Sequence, residues 1–254
     1  KMRLDTYNKE IFENTVKILS KSEDSLNFFL DPETYHWHDD EKLKKNMRDA
    51  FDLEKITEIN IYHWTNFINK PIELLPLKDL LTSKNDLSKF FEEYGYIFQS
   101  DDKKLKIIKQ GKQFGEEELK KMNENKAFPL ISRLERDFCI NGVFPGNEVN
   151  NSPYSINLVP EIIKDIDETF GEDSKLINAF QERAQHYLVI VNVPIDLLII
   201  DGTSALYSNE EKRVELLFKA LSSYYYEYGK CEPINIRLPD FSKVKIDKVI
   251  SCSD

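Results

Sequence analysis

Three side chains that could ligate a metal ion lie close together in the segment Tyr35–Glu41. His36, His38 and Asp40 alternate along this segment, and alternate side chains of an extended chain point in the same direction. Two imidazoles and a carboxylate are ligands that zinc accepts. An extended conformation here would therefore supply three ligands for one ion.

The neighbouring sequence favours a structural role for the same segment. Its His-x-His-x-Asp pattern resembles the opening of the metal-binding motif of metallo-β-lactamases, but Lys42 stands where that family has its next His, and no apolar strand precedes the pattern. Asp39 or Asp40 can instead cap the helix that follows. We therefore predict a capped helix, histidines in the connecting loop and no metal cofactor.

A second set of candidate residues is spread along the chain. Residues 61–65 read Ile-Tyr-His-Trp-Thr, and residues 182–189 read Glu-Arg-Ala-Gln-His-Tyr-Leu-Val, followed by Val193-Pro194. The first segment resembles the Tyr-His-x-Thr first strand of ADP-ribosyltransferase-like proteins of the bacterial toxin or phage-defence type. The second segment resembles the late strand of that family, which carries a Glu.

This resemblance implies that the protein handles NAD. The chemistry requires a polar strand that grips the nicotinamide ribose, an aromatic ring under the nicotinamide, and a carboxylate that stabilises the oxocarbenium-like state as nicotinamide leaves. By the resemblance, the catalytic candidates are Glu182, His63 and Tyr154, and the NAD-binding candidates are His63, Thr65 and Tyr154.

The sequence departs from the family at one important position. Gln185 stands where the family's Glu would align after Ala184, so either Glu182 supplies the carboxylate or the domain is inactive. The same residues also have a structural explanation. In that explanation His63 is a hydrogen-bonded histidine of the core or a sheet edge, Tyr154 packs its loop, and Glu182 is solvated.

Several common catalytic motifs are missing from the sequence. It contains no Gly-x-Gly-x-x-Gly, no phosphate-binding loop that ends in Gly-Lys-Ser/Thr, no Gly-x-Ser-x-Gly and no Cys-x-x-Cys. These absences argue against nucleotide hydrolysis and against serine hydrolysis.

Charge is distributed unevenly along the 254 residues, whose net charge is −10. Residues 137–201 hold 3 basic and 11 acidic side chains, a net charge of −8, whereas residues 101–136 hold 10 basic and 7 acidic ones, a net charge of +3. The acidic stretch 137–201 suits a basic protein partner. An acidic chain makes nucleic acid a less favoured partner.

The composition indicates a soluble globular protein of the cytoplasm. Hydrophobic residues make up 41% of the chain, which is enough to form a core. The longest apolar run, Leu188–Ile200, is interrupted by Asn192, Pro194 and Asp196 and is too short to span a bilayer. The first residues lack the apolar region of a secretory signal, and three widely spaced cysteines suit reduced thiols.

Hydrophobic periodicity predicts a series of helices and then strands. We expect a helix over 6–21 with Tyr7, Ile11 and Ile18 on its apolar face and Leu19 close by, and a helix over 40–53 with Leu43, Met47 and Phe51 on one stripe. For 58–67 we favour a strand, because Ile59, Ile61 and His63 alternate, although Ile59, His63 and Phe67 also fit a helix face. Two short helices, 76–82 and 86–94, followed by a hairpin of 96–99 and 105–109, form the outline of a winged-helix unit. Further elements are a polar helix over 116–123, a long loop over 141–160, helices over 160–170, 173–185 (capped by Asp173) and 210–226, and strands over 186–193, 197–201, 234–238 and 244–250.

These patterns predict an α+β fold with a mixed, mainly antiparallel sheet and an N-terminal helical region. We expect a mainly helical region over 1–125, which includes the winged-helix-like unit 77–110, and an α+β domain over 126–254 built on central strands 186–201. For function we favour an ADP-ribosyltransferase-like protein that handles NAD. The alternatives are a partner-binding protein of the immunity or antitoxin kind and a winged-helix DNA-binding protein.

Overall fold

The computed structural model of the chain describes residues 1–37, 39–101, 104–136, 138–146, 159–202, 207–225, 233–240, 242 and 244–252. These residues form helices and a mainly antiparallel sheet, so the predicted α+β fold is confirmed. Within these ranges no helix is both long enough and apolar enough to cross a membrane.

The elements follow one another in a mixed order along the chain. The helices are α1 (Lys9–Leu19), α2 (Glu23–Leu30), α3 (Pro32–Trp37), α4 (Asp40–Ala50), α5 (Leu77–Thr82), α6 (Asp86–Glu93), α7 (Glu116–Glu135), α8 (Glu161–Phe170), α9 (Lys175–Gln181) and α10 (Asn209–Tyr225). The strands are β1 (Met2–Leu4), β2 (Ile56–Phe67), β3 (Glu73–Leu74), β4 (Tyr96–Asp101), β5 (Lys104–Lys109), β6 (Lys112–Phe114), β7 (Asn141–Phe144), β8 (Gln185–Pro194), β9 (Ile199–Ile200), β10 (Ile234–Arg237) and β11 (Val244–Ser251).

The chain divides into two compact units, and each unit is assembled from separate parts of the sequence. Unit 1 comprises residues 1–63, 141–155 and 190–238, and unit 2 comprises residues 64–140, 156–189 and 239–254. Residue 125, where we expected the boundary, lies within α7 and inside unit 2. Because β2 and β8 each contribute residues to both units, no single cut in the sequence separates them.

Unit 1 contains a sheet with helices α1 to α4 and α10. Its strands follow the order β8, β2, β7, β10, β9, and β1 pairs with β2 in parallel. Phe12 of α1 stacks on Tyr224 of α10 with 4.4 Å between ring centroids. The Nζ of Lys44 on α4 lies 2.8 Å from Glu215 and 5.0 Å from the centroid of Phe218, both on α10. Helix α10 therefore contacts both α1 and α4.

The predicted helix faces are confirmed for α4 and wrong for α1. In α4, Leu43 and Met47 are buried, and so is Phe51 directly after it. In α1 the buried apolar face consists of Phe12, Val16 and Leu19. Two of the residues that we placed on that face, Ile11 and Ile18, are exposed to 48% and 58%. This helix carries two apolar stripes, and packing against the rest of unit 1 selects the one with the phenylalanine.

Unit 2 contains β3 and β11, which pair with each other, and residues 64–67 of β2 and 185–189 of β8. In the eight-stranded sheet the strand order begins β3, β11, β8, β2, whereas β4, β5 and β6 form a separate three-stranded antiparallel sheet. Helices α5 and α6 followed by the hairpin β4–β5 confirm the elements of the predicted winged-helix outline. These elements share a core with α7, α8 and α9 that contains Phe91, Tyr96, Ile107 and Ile163.

Three further expectations differ from the structure. Residues 141–144 form β7 rather than part of a loop, because they pair with β2 and β10. Of the two apolar strands, β8 lies between β11 and β2 as expected, but β9 is the terminal strand of its sheet. Helix α9 begins at Lys175, and the N–H groups of Leu176 and Ile177 in its first turn bond to the carboxylate of Asp167 rather than to Asp173.

Candidate active site

His63 is held in one orientation by the strand next to β2. Its Nδ1 lies 2.5 Å from the backbone oxygen of Asn141, the first residue of β7. A carbonyl oxygen only accepts hydrogen bonds, so Nδ1 carries the proton and donates it. Burial lowers the pKa of the imidazole below its usual value, although the bond to Asn141 acts in the opposite direction. The ring is therefore neutral at pH 7, and its Nε2 is a hydrogen-bond acceptor.

The other predicted site residues occupy different surroundings. Thr65 lies two residues beyond His63 on β2 and is half-buried, and strand alternation places the two side chains on the same face of that strand. Glu182 is exposed and forms the C-terminal cap of α9, three residues before β8 begins. It does not lie on the strand itself. Tyr154 lies outside the described residues.

The expectation that the histidines lie in a connecting loop is wrong for His36, which belongs to α3. Asp40 is the first residue of α4, whereas His38 lies outside the described residues. Asp39 caps α4, because its Oδ1 accepts a hydrogen bond of 3.1 Å from the N–H of Lys42. The predicted cap is confirmed. In the described part of the chain, no three His, Cys, Asp or Glu residues are grouped so that they could hold a metal ion.

A buried hydrogen-bond network in unit 1 connects the segment after β1 with β2. Asp5 accepts hydrogen bonds from the hydroxyl of Tyr62 at 3.0 Å and from the amide of Asn60 at 2.9 Å. The N–H of Thr6 donates to the same Tyr62 hydroxyl at 3.2 Å. Burial, followed by the charge of Asp5, raises the pKa of Tyr62 well above its usual value, so the phenol stays neutral.

The same network fixes the end of the turn after β7. The N–H of Gly146 donates to the hydroxyl oxygen of Thr6 at 2.8 Å, and a Cβ on Gly146 would overlap the ring of Tyr62. Sequence analysis did not identify this cluster. The available signal was the alternation along β2. Asn60 and Tyr62 share one face of the strand, and the residues between and before them, Ile61 and Ile59, are apolar and fully buried.

In unit 2, an aromatic pair carries two nitrogen atoms that lack hydrogen-bond partners among the described residues. The ring of Trp64 stacks on His186 with centroids 5.2 Å apart and an angle of 7° between planes. His186 Nδ1 lies 3.0 Å from the amide oxygen of Asn66, whereas His186 Nε2 and Trp64 Nε1 are unpartnered. Both atoms are closed off from solvent, so the pair does not form an open binding site.

Comparison of the chain with protein-family models, with curated proteins and with solved structures gives no match. The interpretation of the site therefore depends on the chemistry of the residues described above.

Proposed function

We propose that this protein handles NAD in the manner of ADP-ribosyltransferase-like proteins, with His63 holding the nicotinamide ribose. The proposal includes the bacterial toxin or phage-defence role that the resemblance implies, and a cytoplasmic location. Neither of the described cysteines, Cys139 and Cys252, forms a disulfide with another described residue, which agrees with a reducing compartment.

The observation that carries the proposal is the fixed imidazole of His63. Its Nδ1 proton is committed to the Asn141 carbonyl, and its pKa is lowered, so Nε2 presents a lone pair at neutral pH. A ribose hydroxyl is a donor and can bond to that lone pair. A side chain that is already oriented loses less conformational entropy when it binds its ligand. Thr65, on the same face of β2, adds a hydroxyl that both donates and accepts.

The reaction also requires a carboxylate. The bond between the ribose C1′ and the nicotinamide nitrogen breaks, and its electron pair leaves with nicotinamide. A nucleophile such as water or a protein side chain then forms the new bond to C1′. A carboxylate stabilises the positive charge that develops on the ribose between these events. We assign this role to Glu182, whose side chain is exposed.

The two alternative functions draw less support from the charges. Three acidic residues of the stretch 137–201 bond to other residues of the chain: Asp165 pairs with Arg133, Asp201 with Arg237, and Asp167 caps α9. A DNA-binding surface on the winged-helix-like unit would use the lysines of its hairpin. The lysines of the hairpin that the structure describes pair with carboxylates instead: Lys104 with Glu135, Lys106 with Asp101, and Lys109 with Glu172. Partner binding and DNA binding stay as predictions.

The test is a measurement of NAD binding and cleavage by the intact chain. The melting temperature is recorded with and without millimolar NAD, and release of nicotinamide is followed by chromatography. A ligand at about 100 times its dissociation constant adds about 2.7 kcal/mol to the stability, which raises the midpoint by several degrees. We expect such a rise together with nicotinamide release.

Two variants connect the activity to the assigned residues. We expect His63→Ala to slow nicotinamide release about tenfold or more, since one hydrogen bond is lost. Glu182→Gln should slow it by about 10²-fold or more, because the stabilising charge is removed. His186→Ala and Glu168→Gln are the matched controls, and both should retain the activity. Absence of both a melting shift and nicotinamide release in the unchanged protein would rule the proposal out.

A further inference from the structure

A cavity of about 350 Å³ lies in unit 2, where the turn between α5 and α6 meets strand β4. Its volume is at the lower end of the range for cavities that bind small molecules. The residues around it fall into three groups: hydroxyl side chains, two opposite charges and apolar side chains.

The hydroxyl groups present acceptor atoms to the cavity. Thr82, Ser83 and Ser88 all line it. Each hydroxyl donates its proton to a backbone oxygen: Thr82 to Lys78 at 2.8 Å, Ser83 to Asp79 at 2.5 Å and Ser88 to Asn85 at 3.1 Å. The oxygens of Ser83 and Ser88 also accept hydrogen bonds from Asn85, at 3.3 Å from its side-chain amide and 3.0 Å from its backbone N–H, so each retains one lone pair, whereas Thr82 retains two. This side of the cavity therefore favours a ligand group that donates several hydrogen bonds.

Two opposite charges line the same cavity. Glu92 and Lys84 are both exposed, and neither side chain forms an ion pair with another residue in the part of the chain that the structure describes. Two other charged residues of α6 do lie close to an opposite charge. Glu93 pairs with Arg183 at 2.5 Å, and Lys89 lies 3.7 Å from Asp86. The carboxylate of Glu92 and the ammonium of Lys84 are thus available to a ligand that carries both signs of charge.

The remaining wall of the cavity is apolar. Leu81 and Phe98 are buried, and Ile97 is 52% exposed, which is high for a large aliphatic side chain. A ligand that covers Ile97 removes apolar surface from water, which contributes favourably to binding.

We infer that this cavity binds a free α-amino acid with an apolar side chain. The ligand's ammonium group bonds to Glu92 and to the hydroxyl oxygens, and its carboxylate meets Lys84. Its side chain lies against Ile97, whose side chain is on the solvent-exposed face of β4, opposite to that of Phe98. Hydrogen bonds between charged groups are the stronger ones, so both ends of the ligand contribute to recognition. This site is separate from the residues assigned to NAD.

Calorimetric titration of the intact chain with L-phenylalanine tests the inference. L-Leucine and L-methionine are titrated alongside it, and L-glutamate serves as the polar comparison. Two analogues each remove one charge: N-acetyl-L-phenylalanine lacks the ammonium group, and 2-phenylethylamine lacks the carboxylate. We expect at least one apolar amino acid to bind, and we expect each analogue of L-phenylalanine to bind at least tenfold more weakly than L-phenylalanine itself.

Variants identify the cavity as the binding site. Glu92→Gln and Lys84→Met should each weaken binding at least tenfold, whereas Glu93→Gln and Lys89→Met should leave it unchanged. Melting curves of all four variants check that the chain still folds, and all of the substituted side chains are exposed. No binding of any apolar amino acid at 10 mM, on the order of the weakest affinities that matter here, would overturn the inference. Equal binding of 2-phenylethylamine, or unchanged binding by Glu92→Gln, would overturn it as well.

Discussion

The backbone of Gly146 lies directly against the ring of Tyr62, and a Cβ at residue 146 would overlap that ring. The two residues are linked a second time through Thr6, whose hydroxyl accepts from Gly146 N–H at 2.8 Å and whose own N–H donates to the Tyr62 hydroxyl at 3.2 Å. Glycine is therefore required here by close approach, and not by an unusual backbone angle.

Substitution of Gly146 by Ala should destabilise the protein by about 1–3 kcal/mol, as expected when extra volume is forced into a packed region. Chemical denaturation measures the loss. In a Tyr62→Leu background the same substitution should cost at least about 1 kcal/mol less, because the overlapping ring is gone. Equal costs in both backgrounds would show that the overlap with Tyr62 is not the cause.

The buried carboxylate of Asp167 should be important for stability through the N-terminus of α9. Its two oxygens accept from the N–H groups of Ser174 and Leu176, each at 2.8 Å. Asp167→Ala leaves these donors without a partner, so we expect a loss of about 2–4 kcal/mol in the free energy of unfolding. Glu168→Ala, at the next and exposed position of α8, should cost no more than about 0.5 kcal/mol. The prediction fails if the two variants unfold at the same denaturant concentration.

The stability contributed by Glu172 should depend on pH. Burial raises the pKa of this carboxyl, but hydrogen bonds from Lys109 and Tyr96 outweigh burial, and the pKa is lowered from the usual 4.5. A folded-state pKa below the unfolded value means that the contribution is present above about pH 4.5 and is lost as the pH falls through the folded-state pKa. Melting temperatures measured from pH 7 to pH 3 report this directly.

We expect Glu172→Gln to melt at a lower temperature than the unchanged protein at pH 7, with the difference narrowing below pH 4.5. Glu93→Gln, which breaks the exposed pair with Arg183, serves as the control and should show little difference at any pH. A constant difference across the whole range would mean that ionisation of Glu172 is not involved.

With His63 in the site, the rate of NAD cleavage should fall at acidic pH as His63 becomes protonated. Desolvation lowers the pKa of His63 below the usual 6.5. Protonation removes the Nε2 lone pair, so the rate should be constant above pH 6.5 and should fall with a midpoint below it. The initial rate of nicotinamide release from pH 8 to pH 4.5 measures this, with melting curves at each pH to confirm the fold. A midpoint above pH 6.5 would show that the fall in rate is caused by protonation of a group other than His63.

Local patterns in the sequence were enough to predict many of the elements. Leu43 and Met47 recur at helical spacing, and Asp39 caps the helix that they define. Pro160 precedes α8, and Gly171 ends it in a left-handed conformation with φ of 66°. These features depend on residues within a few positions of one another, and for that reason a single sequence is sufficient to read them.

The tertiary structure decided what depends on distant residues. Ile11 and Phe12 belong to two apolar stripes of α1, and only the packing partner Tyr224, more than two hundred positions away, selects the stripe with Phe12. Strand β9 is as apolar as a central strand, but among the described strands it pairs with β10 alone. Apolar content predicts burial of side chains and not the position of a strand in its sheet.

In the candidate site, too, some features follow from local sequence and others from contacts between distant residues. The sequence favoured a strand around His63, with Thr65 on the same face, but the spacing of Ile59, His63 and Phe67 also fitted a helix, and the structure decided for the strand. The sequence did not determine which atom of His63 carries the proton, because that depends on the Asn141 carbonyl of another strand. The network of Asp5, Thr6, Tyr62 and Gly146 joins three separate parts of the chain and became visible only when the fold brought them together. Hydrogen bonds between such distant residues depend on how the chain folds, whereas helices, strands and caps depend on residues close together in the sequence.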